Sequence, residues 1–302
     1  MYYEYDRERN VKGEISRMNI GLIDVDSKIP NLALMKISRF HKKNGDRVAL
    51  CGILEANQYD MIYASKIFQY TEMPILPERS IIGGVGSGNK IRLSDEIEYL
   101  MPDYELYGCD YSMGYTSRGC SRRCPYCVVP KNEGKFNVVG DIYQFWNGHP
   151  DIMIMDNAIN TDEDHFMKIC GQLKEERLRV DFCQGLDIRF ITIKQAKILN
   201  ELKYWKGIAR FAWDSIKDEN EIKKGIDILI KNGMRSKVMF YVLIGYDSTP
   251  EEDLYRVNYL KSLKMDPFVI PYNREDGYQK RFARWVNRKA IFYKIEWEEY
   301  AR

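Results

Sequence analysis

The sequence has little histidine: His41, His149 and His165 are the full set, and none lies at a spacing that would let it share a metal ion. It also lacks any apolar run long enough to span a bilayer, and the polar opening MYYEYDRERN has no secretory-signal character. Short-period repeats and low-complexity tracts are missing, which argues against solenoid, fibrous and linker-dominated architectures. An excess of one charge is missing too. With 46 Lys and Arg against 44 Asp and Glu the net charge is +2, so any nucleic-acid-binding surface must be local. The expected location is the cytoplasm, with no membrane partner. There the seven cysteines stay reduced, and clustered ones read as metal ligands or catalytic groups rather than disulfides.

What is present is a regular alternation of strand and helix, the pattern of an α/β fold with a parallel sheet. In the first third, strands are expected at Asn19–Val25, Arg47–Gly52, Asp60–Ala64 and Ser80–Val85. Pro30 opens an amphipathic helix through about Lys43, closed by Asn44-Gly45. This series ends near Asp110 and forms a Rossmann-like unit over 1–110. The glycine-rich stretch Gly83–Gly88 is a weak nucleotide-binding signal, because such stretches are more often tight connections out of a strand. A second series fills 111–302, with strands expected at Gly114–Ser117, Asp151–Asp156, Arg179–Gly185, Ile208–Trp213, Lys237–Ile244 and Pro267–Ile270. Helices are expected at Ile193–Leu202, Glu219–Lys231 and Pro250–Leu263, the last opening on Ser-Thr-Pro-Glu-Glu. Six strand–helix units are too few for an eight-stranded barrel, so a (βα)6 partial TIM barrel is expected. Its chemistry would sit at the carboxyl ends of the strands.

The segment Gly119-Cys120-Ser121-Arg122-Arg123-Cys124-Pro125-Tyr126-Cys127 follows the first of those strands. Three thiolates this close can hold three corners of a cubane iron–sulfur cluster and leave one iron open to a substrate or cofactor; four would close it. The rival reading is a zinc knuckle, which normally needs a second Cys pair or a histidine, and the sequence offers neither at a suitable spacing.

At this spacing, with Tyr126 before the last cysteine, the segment resembles that of the radical S-adenosylmethionine (SAM) superfamily. Ser117-Arg118-Gly119-Cys120 is similar to the lead-in of the methylthiotransferases and of the radical SAM enzymes with a cobalamin-binding domain. The resemblance runs in order from about 114 to 271. It implies a [4Fe–4S] cluster on Cys120, Cys124 and Cys127, with SAM on the open iron. It further implies that Asp156 and Asn157 approach the SAM amino group, Gln184 and Arg189 its carboxylate, Asp214 and Ser215 the ribose, and Tyr126 the adenine through its backbone. Tyr241-Val242-Leu243-Ile244-Gly245-Tyr246 is similar to the fifth-strand motif, whose backbone flanks the adenine; Tyr241, Tyr246 and Tyr272 would line the substrate cavity or simply pack. A reductant such as flavodoxin or ferredoxin is an implied partner. The implied activity is hydrogen abstraction, with methyl or methylthio transfer to a nucleic acid such as tRNA as one outcome and chemistry on a peptide or small molecule as another. A non-catalytic zinc-stabilised binding protein is the reading from a different class.

The first unit is similar, more loosely, to a cobalamin-binding domain through Ile29-Pro30-Asn31-Leu32-Ala33-Leu34 and Ile82-Gly83-Gly84. No Asp-x-His-x-x-Gly occurs, so a cobalamin would have no histidine ligand. A second cluster would need three cysteines ahead of the motif, where the sequence has Cys51 and Cys109; Cys170 and Cys183 read as buried structural thiols. Near the end, Lys280–Lys289 carries five basic residues and no acid. On one helix, Arg281, Arg284 and Arg288 would form a basic stripe, either solvated or facing an RNA phosphate, opposite Phe282, Trp285, Val286 and Tyr293.

Overall fold

The computed structural model describes residues 17–89, 91–234 and 238–302. The opening MYYEYDRERN and Lys237, the first residue of one expected strand, lie outside the described residues. The fold is α/β with parallel sheets. Two compact units divide it: one runs to Met113 and includes Tyr143–His149, and the other comprises Gly114–Ile142 and Pro150–Arg302. The expected boundary at 110 thus moves slightly, and a short later segment returns to the first unit. The Tyr104 hydroxyl anchors that segment by donating to the Phe145 carbonyl at 2.5 Å, and the Asn147 amide donates to Ser112 Oγ at 3.0 Å.

The first unit contains β1 (Asn19–Asp24), α1 (Leu32–Lys43), β2 (Arg47–Leu50), β3 (Met61–Ser65), β4 (Ser80–Gly83) and the short α2 (Asp95–Glu98). Its strands form one parallel sheet in the order β2-β1-β3-β4. Helix α1 begins after Pro30 because the Asn31 side chain caps it, accepting from the Leu34 amide at 3.2 Å. One sheet face and α1 bury Ile20, Leu22, Leu34, Ile37 and Tyr63 together, and Ile23, Ala56, Ile62 and Ala64 form a second cluster. The glycine-rich stretch leads into a single 3₁₀ turn rather than an α-helix. At Gly84, φ is +91° and a Cβ would lie 2.2 Å from the Lys66 carbonyl oxygen; the glycine permits close backbone packing rather than cradling a phosphate.

The chain crosses into the second unit within β5 (Ser112–Gly114). The expected Gly114–Ser117 strand breaks there: Tyr115 and Thr116 separate β5 from β6 (Ser117–Arg118). Next come α3 (Val129–Asn132), β7 (Asn137–Val138), β8 (Asp151–Ile154), α4 (Glu163–Glu175), β9 (Arg179–Phe182), α5 (Ile193–Glu201) and a two-residue β10 (Lys203–Tyr204). Then follow β11 (Ala209–Ala212), α6 (Glu219–Lys231), β12 (Val238–Ile244), α7 (Pro250–Ser262), β13 (Asp266–Pro271), α8 (Gly277–Asn287), α9 (Lys289–Phe292) and α10 (Trp297–Tyr300).

One sheet has the order β10-β9-β8-β5 and another β11-β12-β13. A parallel bridge between Leu186 and Phe211 continues β9 onto β11. Every residue of β8 is buried, as expected of a strand covered on both faces. Helix α7 starts as its sequence implies: Thr249 and Glu252 form a reciprocal capping box around Pro250. Helix α8 buries Phe282, Trp285 and Val286. The expected single stripe does not persist, however. Helix α8 ends at Asn287, Arg288 leaves helical geometry, and Tyr293 is exposed, its hydroxyl donating to Asp266 at 2.7 Å. Among the described residues no helix is long and apolar enough to cross a membrane.

Candidate functional site

The three-cysteine segment belongs to an excursion, 119–136, clamped at its base by antiparallel β6 and β7, where Ser117 faces Val138 and Arg118 faces Asn137. Gly119 forms the neck. Its φ is +73°, and a Cβ there would lie 2.2 Å from the Lys135 carbonyl oxygen, so the two arms of the excursion meet backbone to backbone. The Cys120 amide donates across this neck to the Gly134 carbonyl at 3.3 Å, and the Gly119 amide donates to Glu133 Oε2 at 3.0 Å. Within the loop, the Cys127 amide donates to the Cys124 carbonyl at 3.0 Å. The Arg122 amide donates to the Cys120 sulfur at 3.3 Å, and the Val129 amide reaches the Cys127 sulfur.

All three cysteines are half-buried and free of disulfides. Burial pushes the Cys120 thiol up, and the charges of Cys124, Cys127 and Asp187 push it further. Cys127 is raised by burial, and then by Cys124, Asp214 and Glu133. Soft, mutually repelling sulfurs, two of them receiving backbone N–H donors, form a donor set that iron would satisfy by holding the thiolates as ligands. Among the described residues no three His, Cys, Asp or Glu side chains converge closely enough to hold one metal ion.

The other expected contacts lie just beyond successive strands. Asp156, two residues after β8, is buried with its carboxylate engaged: it accepts from the Thr116 amide at 2.8 Å, from Thr116 Oγ1 at 2.7 Å and from Ser117 Oγ at 2.5 Å. Burial raises its pKa against these donors. Thr116 Oγ1 also meets His165 Nε2 at 2.9 Å. Asn157 donates from Nδ2 to Glu133 at 3.1 Å, and so stands at the neck of the cysteine loop. Gln184, after β9, is exposed, and its side chain bonds the Cys183 thiol.

Arg189 is gripped from two sides. It makes a two-pronged pair with Asp187, Nε to Oδ1 at 2.7 Å and Nη2 to Oδ2 at 2.6 Å, and bonds Asp218 through Nη1. Burial opposes its charge, but Asp187 and Asp218 outweigh that, and the Cys124 sulfur adds to their pull. Asp214, after β11, is raised by burial despite the Leu243 amide, Arg256 and Arg189. The Tyr126 hydroxyl donates to it at 3.4 Å. Tyr126 in turn packs edge-on against Tyr246 at 5.3 Å, and Tyr246 against Tyr272 at 4.9 Å. Tyr241 stands apart from this pair, donating to the Cys183 carbonyl at 2.9 Å. Ser215 donates to Asp247 at 3.3 Å.

The loop and the strand ends are therefore tied together by Tyr126 to Asp214, Glu133 to Asn157, and Arg122 to Asp218 at 3.9 Å. Of the expected residues, Tyr126, Asn157 and Asp214 make these ties, whereas Asp156, Gln184, Arg189 and Ser215 do not. Four organising residues escaped the sequence reading: Glu133, Asp187, Asp218 and Arg256. Fully buried Arg256 donates to the Trp213 carbonyl at 3.0 Å and the Leu243 carbonyl at 2.9 Å, and pairs with Asp253 at 2.7 Å, fixing the strand ends that carry Asp214. Asp187 alone carried a signal, as the acid two residues before Arg189; the other three act across long sequence separations. No protein-family profile matches the chain, and no curated protein matches it.

Proposed function

We propose that this chain is a radical SAM enzyme of the cytoplasm, with the cluster on Cys120, Cys124 and Cys127 and SAM on the open iron. The reading rests on a single observation. A loop of three half-buried free thiols is tied to the polar ends of β8 and β11 by Glu133–Asn157, Arg122–Asp218 and Tyr126–Asp214. Strands β5, β8, β9, β11, β12 and β13 adjoin in chain order, which supports a (βα)6 partial barrel with chemistry at its carboxyl end, and the parallel order β2-β1-β3-β4 supports a Rossmann-like first unit.

When bound, the cluster supplies one electron to SAM, and cleavage of its carbon–sulfur bond releases the 5′-deoxyadenosyl radical that removes hydrogen from an unactivated carbon. The chain's own residues bind and orient. Arg189, fixed by Asp187 and Asp218 near Cys124, keeps guanidinium N–H groups beyond those bonds that can donate to the SAM carboxylate. Asp214 and Ser215 offer oxygens to ribose hydroxyls. Asn157 presents its amide to the amino end. Asp156 is a positioning residue: it spends its carboxylate on Thr116 and Ser117, and so fixes the approach to Cys120. Tyr126 closes the adenine side. Gln184 remains available in solvent.

A flavodoxin- or ferredoxin-type reductant supplies the electron, and a nucleic acid such as tRNA is the substrate class we favour, with methyl or methylthio transfer as the outcome. A cobalamin, if one binds, does so without a histidine ligand. Anaerobic purification followed by iron, sulfide and corrinoid analysis, then dithionite and SAM, tests the reading. The expected result is a brown protein with about four irons per chain that releases 5′-deoxyadenosine. A colourless zinc protein that leaves SAM intact overturns it. Turnover with tRNA against peptide pools assigns the substrate.

A further inference from the structure

The cysteine excursion also lines an open cavity of about 550 Å³, bordered by Cys120, Ser121, Arg123, Pro130, Lys135 and Phe136 among others. It shares Cys120 with the site above, whereas Cys124, Cys127 and the strand-end residues do not border it. Its size suits a small-molecule guest or one unit of a larger one. The walls are fixed. Gly119 brings the backbone of Lys135 into contact with the neck, β6 and β7 hold the base, and Phe136 leans edge-on against His165 at 6.4 Å.

The lining has an unusual charge balance. Arg123 and Lys135 are exposed, and among the described residues neither has an acidic partner within ion-pair distance. Exposed Lys131 nearby has none either. Glu133, the one acid in the excursion, is occupied by Gly119, Arg118 and Asn157. Two free cations therefore share this lining with the Phe136 ring, the Ser121 hydroxyl and the apolar Pro130. A bare anion would leave Phe136 and Pro130 unused, and an apolar guest would strip water from Arg123 and Lys135 without compensation. A phosphate joined to a planar base uses both parts.

We propose that this cavity binds a nucleoside phosphate, held as one nucleotide of a single-stranded nucleic acid, with its phosphate between Arg123 and Lys135 and its base against Phe136. The proposal deepens the enzyme reading, on which it rests for the use made of the bound strand, by naming a place where a nucleic-acid substrate is gripped beside the cysteine loop.

The test is fluorescence anisotropy of the full chain, handled anaerobically, with labelled single-stranded RNA and DNA of about ten nucleotides. UMP, AMP, inorganic phosphate and an acidic flavodoxin-type protein serve as competitors. Arg123→Gln/Lys135→Gln should raise Kd at least tenfold. It should also flatten the slope of log K against log salt by about 0.7, the contribution of the one single-strand phosphate that the two side chains hold. Phe136→Ala should raise Kd about tenfold with the slope unchanged. Photo-crosslinking of a thiouridine strand to the unaltered protein should map to residues 119–136, a readout that does not depend on any variant folding.

Full competition by UMP or AMP supports the site and makes the free nucleotide its occupant. Wild-type binding by both variants, crosslinks outside the excursion, or binding of the acidic protein but no strand overturns the proposal, as does competition by inorganic phosphate with Phe136→Ala silent. SAM cleavage by the unaltered protein without nucleic acid reports on the enzyme reading separately, so either can fail alone.

Discussion

Two glycines in the cysteine excursion provide a matched experiment. Gly119 and Gly134 both have positive φ, +73° and +82°, but a Cβ at Gly134 meets nothing within 4 Å, whereas one at Gly119 lies 2.2 Å from the Lys135 carbonyl oxygen. Each alanine substitution incurs the left-handed backbone penalty of about 1–2 kcal/mol, partly offset by about 0.4–1 kcal/mol from the stiffer unfolded chain. For Gly134→Ala that is the whole effect, about 1 kcal/mol or less. In Gly119→Ala the two arms must also separate by about an ångström to restore ordinary contact distance. That move stretches the bond from the Cys120 amide to Gly134 and the one from the Gly119 amide to Glu133. At about 1 kcal/mol for each bond lost, the total reaches about 3 kcal/mol. Because the same move displaces Cys120 from Cys124 and Cys127, iron retention should fall far more in Gly119→Ala than in Gly134→Ala. Urea denaturation followed by circular dichroism, with iron per chain after anaerobic reconstitution, reads both effects. Equal losses in the two variants would refute the argument that neck packing, rather than backbone conformation, positions Cys120.

Other consequences can be checked directly. Asp156→Ala leaves the Thr116 amide, Thr116 Oγ1 and Ser117 Oγ without their buried acceptor, and should cost about 2–4 kcal/mol together with cluster retention; Asp156→Asn should recover part of both in the same assays. Burial holds His165 below its usual 6.5, with Asp156 and Asp162 pulling the other way. The unfolded chain therefore takes up that proton first, so the stability His165 contributes is full above about pH 6.5 and is lost as pH falls through its lower folded value. Melting temperatures of wild type and His165→Gln measured between about pH 7 and pH 5 should show a shallower acid loss in the variant. Trp285, fully buried and 4.9–5.4 Å in ring-centre distance from Phe282, Phe292 and Trp297, should cost about 3–5 kcal/mol as Trp285→Ala, read by urea denaturation. A loss below about 1 kcal/mol would mean that α8 is not anchored by that cluster.

The legible parts of this chain are those with local causes. Apolar runs located β1, β3, β8 and β12 because a strand buried on both faces must be apolar throughout, and Thr249-Pro250-Glu251-Glu252 announced α7 because the capping box is made within four residues. The three cysteines were legible because one short loop carries them. The single basic stripe expected near the end failed for an equally local reason. Periodicity assumed one continuous helix, and Arg288 breaks it, so the residues beyond it fall on a different element.

The α/β alternation, the cysteine spacing and the polar residues after successive strands are readable along the chain, since each depends on neighbours a few positions apart. Tertiary structure alone decided how those residues are used. Asp156 turns inward to Thr116 and Ser117, Arg189 is shared between Asp187 and Asp218, and Glu133 closes the neck on Gly119 and Asn157. A carboxylate's partner is set by which donors the fold brings within about 3 Å, and chain spacing does not encode that distance when the partners lie tens of residues apart.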